Sequence, residues 1–133
     1  MSSDAEQVSF GAIFDWDGVI IDSAELHERS WHRLADEIGK EIMPDSFIRG
    51  FGMRNEQIIP EIYGWSRDAG EIERLSERKE ELYRELARNA GMTPLPGVPE
   101  WIERLKIAEI PRVVASSTPR LNIDAILDLL GLC

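Results

Sequence analysis

Apolar and polar positions along this chain fall into runs whose period changes several times, and each change predicts an element. Phe10, Ala12, Ile13 and Phe14 form a short apolar run closed by polar and glycine residues, which predicts a buried strand. A second apolar run, Val19-Ile20-Ile21, stands just beyond the intervening Asp15-Trp16-Asp17-Gly18. Asp22 and Glu25 then have capping-box spacing, and Leu26, Leu34, Ala35 and Ile38 recur at helical intervals until Gly39 stops the helix. Residues 44–64 predict one or two short helices broken by glycines, with Pro60 kinking or ending a turn. From Asp68 to Asn89 the spacing predicts one long amphipathic helix. Ile72, Leu75, Leu82 and Leu86 keep to one side of it, with Tyr83 beside them, and Gly91 ends it. Its many charges read as a solvated face with opposite-charge neighbours, not a binding site. Thr93–Pro99 is a stiff, turn-rich crossing. A helix with Val98, Trp101, Ile102 and Leu105 as its apolar members follows, with Pro99 in its first turn. Val113, Val114 and Ala115 predict a second buried strand, and Leu121–Leu130 a last amphipathic helix stopped by Gly131. Strands alternating with helices indicate an α/β fold built on a parallel sheet.

Composition narrows the function classes. With 133 residues, 43% hydrophobic and 30% charged, the chain has room for one compact domain or a small core with an insertion. A net charge of −10 argues against a nucleic-acid surface, which needs basic patches. An acidic protein still binds a phosphate ester if a divalent cation supplies local positive charge. Cys133 is the only cysteine, so no internal disulfide is expected. The opening Met1–Gln7 is polar and acidic, unlike a signal peptide, and no stretch approaches the length of a membrane span. A cytoplasmic location is expected.

Four places carry candidate chemistry. Asp15 and Asp17 stand where the first strand runs out, and ligands of open parallel sheets bind at the carboxyl ends of strands. Two carboxylates so close repel unless a cation or proton lies between them. A surface turn also favours Asp and Gly, but does not need apolar runs directly before and behind it. Ser116, Ser117 and Thr118 end the second strand. Small hydroxyls there, with amides of the following helix start, make an anion cradle, although Ser-Ser-Thr-Pro is also a common helix cap. Arg54 lies in the glycine-rich segment 48–56, where a guanidinium fork suits phosphate oxygens and glycines let the backbone close over a ligand. On composition alone that segment is a turn with a solvated arginine. His27 and His32 share the first helix, but five residues apart they do not share a face as metal ligands would.

The run Phe-Asp-Trp-Asp-Gly-Val-Ile-Ile-Asp-Ser, residues 14–23, resembles the first motif of the haloacid dehalogenase superfamily, an apolar strand followed by Asp-x-Asp-Gly-Val. The strand ending at Ser116 resembles its second motif, and Leu95-Pro96-Gly97-Val98 resembles the return from an inserted helical cap. The resemblance runs essentially end to end and is strongest to phosphatases and β-phosphoglucomutase-like members. It implies a partial Rossmann-like core from residues 1–20 and 96–133, with a helical cap over 21–95. It implies a magnesium-dependent phosphatase in which Asp15 is the nucleophile and Asp17 the general acid/base. Magnesium is then held by Asp15 and the Asp17 carbonyl, and Ser116 donates to phosphate with Ser117, Thr118 and Arg120 as helpers. His27 and Arg54 correspond to substrate-facing positions of the family. A sugar-phosphate mutase would keep the same aspartates and return the phosphoryl group to substrate, whereas a non-catalytic phosphate-binding module would lack turnover.

The family's later Lys and acidic pair have no counterpart among these residues, Lys106 lying in the helix before the second motif. They are expected after Cys133, so the chain reads as the amino-terminal part of such an enzyme. The expected partner is a small phosphorylated metabolite, with neither nucleic acid nor membrane. Two strands leave Ile13, Phe14, Val113 and Val114 on an unpaired apolar edge, through which self-association is expected.

Overall fold

The computed structural model describes residues 9–131; the polar amino terminus and Cys133 lie outside them. Two strands and six α-helices occur there in the order β1 (Ala12–Phe14), α1 (Ala24–Ile38), α2 (Ser46–Arg49), α3 (Asn55–Gln57), α4 (Ala69–Ala90), α5 (Val98–Ile107), β2 (Arg112–Val114) and α6 (Arg120–Leu130). A π-helical turn, Ile58–Tyr63, continues α3. The chain forms two compact units.

The first unit takes the described part of Met1–Asp22 together with Pro94–Ser116. Its two strands pair in parallel, with Ala12 opposite Arg112, Ile13 opposite Val113 and Phe14 opposite Val114. The pairing is extended at both ends, by Ala12 N–H to the Pro111 carbonyl at 2.8 Å and Ala115 N–H to the Phe14 carbonyl at 2.8 Å. These strands are less buried than their apolar composition predicts: Ile13 is 75% and Val113 57% exposed. A two-stranded sheet does not cover both of its own faces, and Ile13 and Val113, directly opposite, share the open one. The buried apolar residues of this unit are instead Trp16, Ile20, Ile21, Val98 and Leu105. Val98 and Leu105 are the inward side of α5, while Trp101 is exposed. Gly97, at the start of that helix, has φ 87°, a conformation an L side chain resists.

The second unit takes Ser23–Thr93 together with the residues from Ser117 onward. Its frame is α1 against α4, with α3, the π-helical turn and α6 also packed on α4. Trp31, Leu34, Ile58, Ile59 and Leu82 form the core, flanked by Ile38, Phe47, Tyr63, Trp65, Ile72 and Leu75. The Tyr63 and Trp65 rings stack at 4.4 Å and Tyr63 meets Trp31 at 5.1 Å. Burial of this kind contributes about 1.5–3 kcal/mol per large side chain. The tips of the helices follow the sequence signals at Gly39, Gly91 and Gly131. α4 also gains a true cap, Asp68 accepting from Glu71 N–H at 2.9 Å.

Three expectations are corrected here. The residue at the N-cap of α1 is Ser23, not Asp22, because the first intrahelical bond runs from His27 N–H to the Ser23 carbonyl at 3.0 Å. Pro60 neither ends nor breaks its helical segment. It lies inside the π turn, whose wider ladder accommodates a residue without N–H, and Gly64 closes the segment instead. The charged side of α4 is not wholly solvated, since Lys79 and Glu80 are only 2% and 7% exposed.

Candidate active site

Asp15 and Asp17 follow β1 directly and both are exposed. The turn that presents them is tightly bonded. The Trp16 carbonyl accepts from the amides of Val19, Ile20 and Ile21 at 3.2, 2.9 and 3.4 Å, and Gly18 N–H reaches the Ile21 carbonyl at 2.7 Å. Gly18 has φ 77°, which is why this turn takes a glycine. The Trp16 side chain is fully buried, and its main-chain N–H donates to Asp15 Oδ1 at 2.7 Å. The indole therefore anchors the turn while the backbone orients the carboxylate beside it. Asp17 pairs with Ile21 as an isolated parallel bridge.

The register of the sheet decides what Asp15 meets. Phe14 lies opposite Val114, so the chain leaves β1 at Asp15 beside the point where it leaves β2 toward Ala115 and Ser116. Both strand ends point the same way because the pairing is parallel. An acidic nucleophile candidate and a hydroxyl donor candidate thus share one end of one sheet, the end at which α/β proteins bind ligands.

The other candidates belong to the helical unit. Arg54 is exposed, extended at the N-cap of α3. Ser117 is exposed and Thr118 half-buried, three and two residues before α6 begins. His27 is half-buried on α1 and stacks on Tyr83, with ring centroids 4.2 Å apart and planes at 10°. Lys79 Nζ lies 2.8 Å from His27 Nδ1. An ammonium only donates, so Nδ1 is the acceptor and the ring proton of this tautomer sits on Nε2.

Around Lys79 lies a polar network that the sequence reading missed. Lys79 Nζ donates to Glu80 Oε1 at 3.1 Å and stands over the Trp31 and Tyr83 rings at 5.3 and 5.4 Å. Asn55 donates to the same Glu80 oxygen at 2.8 Å, and Asn122 donates to the other. Arg84 donates to Asn122 Oδ1 at 2.6 Å. Burial pushes the Glu80 carboxyl up, but the Lys79 ammonium and the two asparagine amides outweigh it, and the net displacement is below the ordinary carboxylate range. One signal was present in the sequence. Ile72, Leu75, Lys79, Leu82 and Leu86 step at helical spacing, so a cation stands where the apolar stripe calls for a hydrophobe.

A concavity of about 510 Å³ on this unit is lined by Glu56, Ala69, Ile72, Glu73, Ser76 and Glu77. Three carboxylates make it unsuited to a phosphate ester, and it holds none of the candidate residues. Among the described residues no three His, Cys, Asp or Glu side chains converge as a metal cluster would. The Asp15 carboxylate and Asp17 carbonyl are nonetheless the hard oxygen donors that magnesium accepts. No helix of the described residues is long and apolar enough to cross a membrane.

A parallel strand pair that ends in Asp-x-Asp on one strand and Ser on the next, with a helical insertion between, is the arrangement of the haloacid dehalogenase-like hydrolases. The model of that family matches residues 11–132, and the chain belongs to it. Its relatives include 5-amino-6-(5-phospho-D-ribitylamino)uracil phosphatase, chloroplastic, of Arabidopsis thaliana, 38% identical over 125 residues, or 92% of this chain and 33% of that protein. The phosphorylated carbohydrates phosphatase of Thermotoga maritima is 30% identical over 112 residues, 81% of this chain and 50% of that protein. Among solved structures, a family IA, variant 3 HAD hydrolase from Entamoeba histolytica matches with a TM-score of 0.80 at 27% identity, covering 92% of this chain and 56% of that one. The chain spans a third to a half of the length of these curated relatives.

Proposed function

We propose that the full-length protein is a magnesium-dependent phosphatase acting on a small phosphorylated carbohydrate or sugar-alcohol ester. The observation that carries this reading is the parallel register that sets Asp15 and Ser116 at adjacent strand ends. Both relatives carry a phosphorylated polyol or carbohydrate in their names, which supports the substrate class, and both are named phosphatases, which favours water over substrate as the final phosphoryl acceptor. In this reading residues 1–20 and 96–133 belong to the catalytic core and 21–95 to the cap, although the described residues from Ser117 onward pack with the helical unit in this chain, and the protein works in the cytoplasm.

The chemistry follows from the residues. An Asp15 carboxylate oxygen attacks phosphorus and the ester P–O bond breaks, leaving an aspartyl-phosphate. Asp17 delivers its proton to the departing alkoxide, and then takes one from the water that hydrolyses the acyl phosphate. Two easier displacements replace one hard one. Ser116, with Ser117 and Thr118, donates hydrogen bonds to the phosphoryl oxygens, and His27 and Arg54 contact the rest of the substrate. Asp15 and the Asp17 carbonyl would hold magnesium, which would supply the charge compensation that an anionic nucleophile needs against an anionic ester.

Asp15→Asn in the full-length enzyme should abolish turnover without unfolding it, because the amide keeps the shape and loses the nucleophile. Asp17→Asn should slow esters with poor leaving groups most, where protonation matters. Steady-state assays on sugar phosphates with magnesium test both. Full activity in Asp15→Asn, with deamidation excluded by mass, overturns the assignment.

A further inference from the structure

The buried network of the helical unit reaches, at two of its ends, the segments that carry candidate substrate residues. Asn55 is the neighbour of Arg54, and its Nδ2 donates to Glu80 Oε1 at 2.8 Å and to Ser76 Oγ at 3.0 Å. Asn122 is fully buried in the first turn of α6, which begins two residues after Thr118. Its Nδ2 donates to Glu80 Oε2 and its Oδ1 accepts from Arg84. One carboxylate on α4 therefore holds the arginine-bearing loop by one oxygen and the start of α6 by the other.

Only a carboxylate satisfies both ends. The Asn122 acceptor is already taken by Arg84, and both Asn55 amide hydrogens are spent on Ser76 and Glu80. Both asparagines must donate, so residue 80 must offer two acceptor oxygens. A glutamine has one, and its amino group would face an asparagine amino group. Buried bonds to an ionised acceptor are short and directional, which makes such a bridge stiff.

We propose that Glu80 is a positioning residue that sets the spacing between Arg54 and the Ser117–Thr118 turn. Its purpose rests on the phosphatase reading, but its geometry does not. Hydrogen bonds join the two asparagines through the Glu80 carboxylate, so coupling carried by the bridge has a measurable signature that is lost with that carboxylate.

The test is a double-mutant cycle on this chain, read by amide NMR. Asn55→Ala should shift the Thr118 and Asn122 amides, and that shift should vanish when the same change is made in Glu80→Gln. Should Glu80→Gln fail to fold, Asn122→Ser read at the Arg54 and Glu56 amides gives the reciprocal measurement. Unmoved amides across the bridge, or equal shifts with and without the carboxylate, overturn the proposal. In the full-length enzyme Glu80→Gln should raise KM for the ester roughly tenfold and leave kcat within about twofold, since spacing is disturbed and the nucleophile is not. A fall in kcat at unchanged KM overturns it equally. The NMR arm needs no turnover, so its failure is separable from that of the phosphatase reading, which Asp15→Asn decides.

Discussion

Glu80 is a residue whose charge state and packing cannot be separated. It faces Lys79, His27 and Arg84 as the charged or titratable groups of the network, and its carboxyl is held below the value of 4.5 expected for an unfolded chain. The sign follows from linkage: above about 4.5 the folded state keeps the full benefit of the ionised group, and that benefit is lost as pH falls through the lowered folded value. Denaturation measured across the acid range should show wild-type stability dropping there, with Glu80→Gln flattening that limb. Parallel acid curves for the two proteins would assign the loss to other carboxylates. Replacing Glu80 by Ala removes the carboxylate to which Lys79, Asn55 and Asn122 donate, and breaking such a buried pair costs about 3–5 kcal/mol. Arg54 offers the opposite case, an exposed group to which the proposed function gives contact with substrate. Arg54→Ala should lower kcat/KM for the natural ester far more than for p-nitrophenyl phosphate. Equal losses on both esters return Arg54 to the solvated surface.

At the scale of elements, the α1–α4 pair carries most of the helical unit. Leu34 and Leu82 are fully buried in its core. Leu34→Ala should therefore cost about 2–5 kcal/mol, read as a lower urea midpoint at unchanged slope, because deletion leaves a cavity as well as lost burial. The surface of the same pair contributes far less. Arg78 bonds Glu37 across it in a fork, through Nε at 2.9 Å and Nη2 at 2.6 Å, and meets Glu81 at 3.0 Å. The hydrogen bonds from Arg78 depress the Glu37 carboxyl, yet both groups are more than a third exposed. Such bridges contribute at most about 1 kcal/mol. The strands are the weaker elements, three residues each with a single parallel partner among the described residues.

For the whole molecule, that weakness becomes a prediction about association. Ile13 and Val113 are exposed side by side on one sheet face, and Phe10 is 61% exposed at the strand entry. Unpaired strand edges beside apolar faces template pairing with another chain. This chain should accordingly associate with rising concentration in sedimentation experiments, and Ile13→Lys with Val113→Lys should suppress it. A monomer at every attainable concentration would show that the face is tolerated alone.

What the sequence determined by itself was the order of elements, their glycine stops and the first motif, because these signals are local. An apolar run, two aspartates and a glycine with φ 77° at residue 18 are written within a few positions of one another. Family membership followed from the same stretch, and the match over residues 11–132 agrees with it. Tertiary structure alone decided which charges on α4 were interior. Lys79 and Glu80 look like surface residues until α1, α3 and α6 bring His27, Asn55 and Asn122 to them from far along the chain. It also decided that Ile13 and Val113 lie open, since burial depends on how many neighbours a strand finds, and periodicity does not count neighbours.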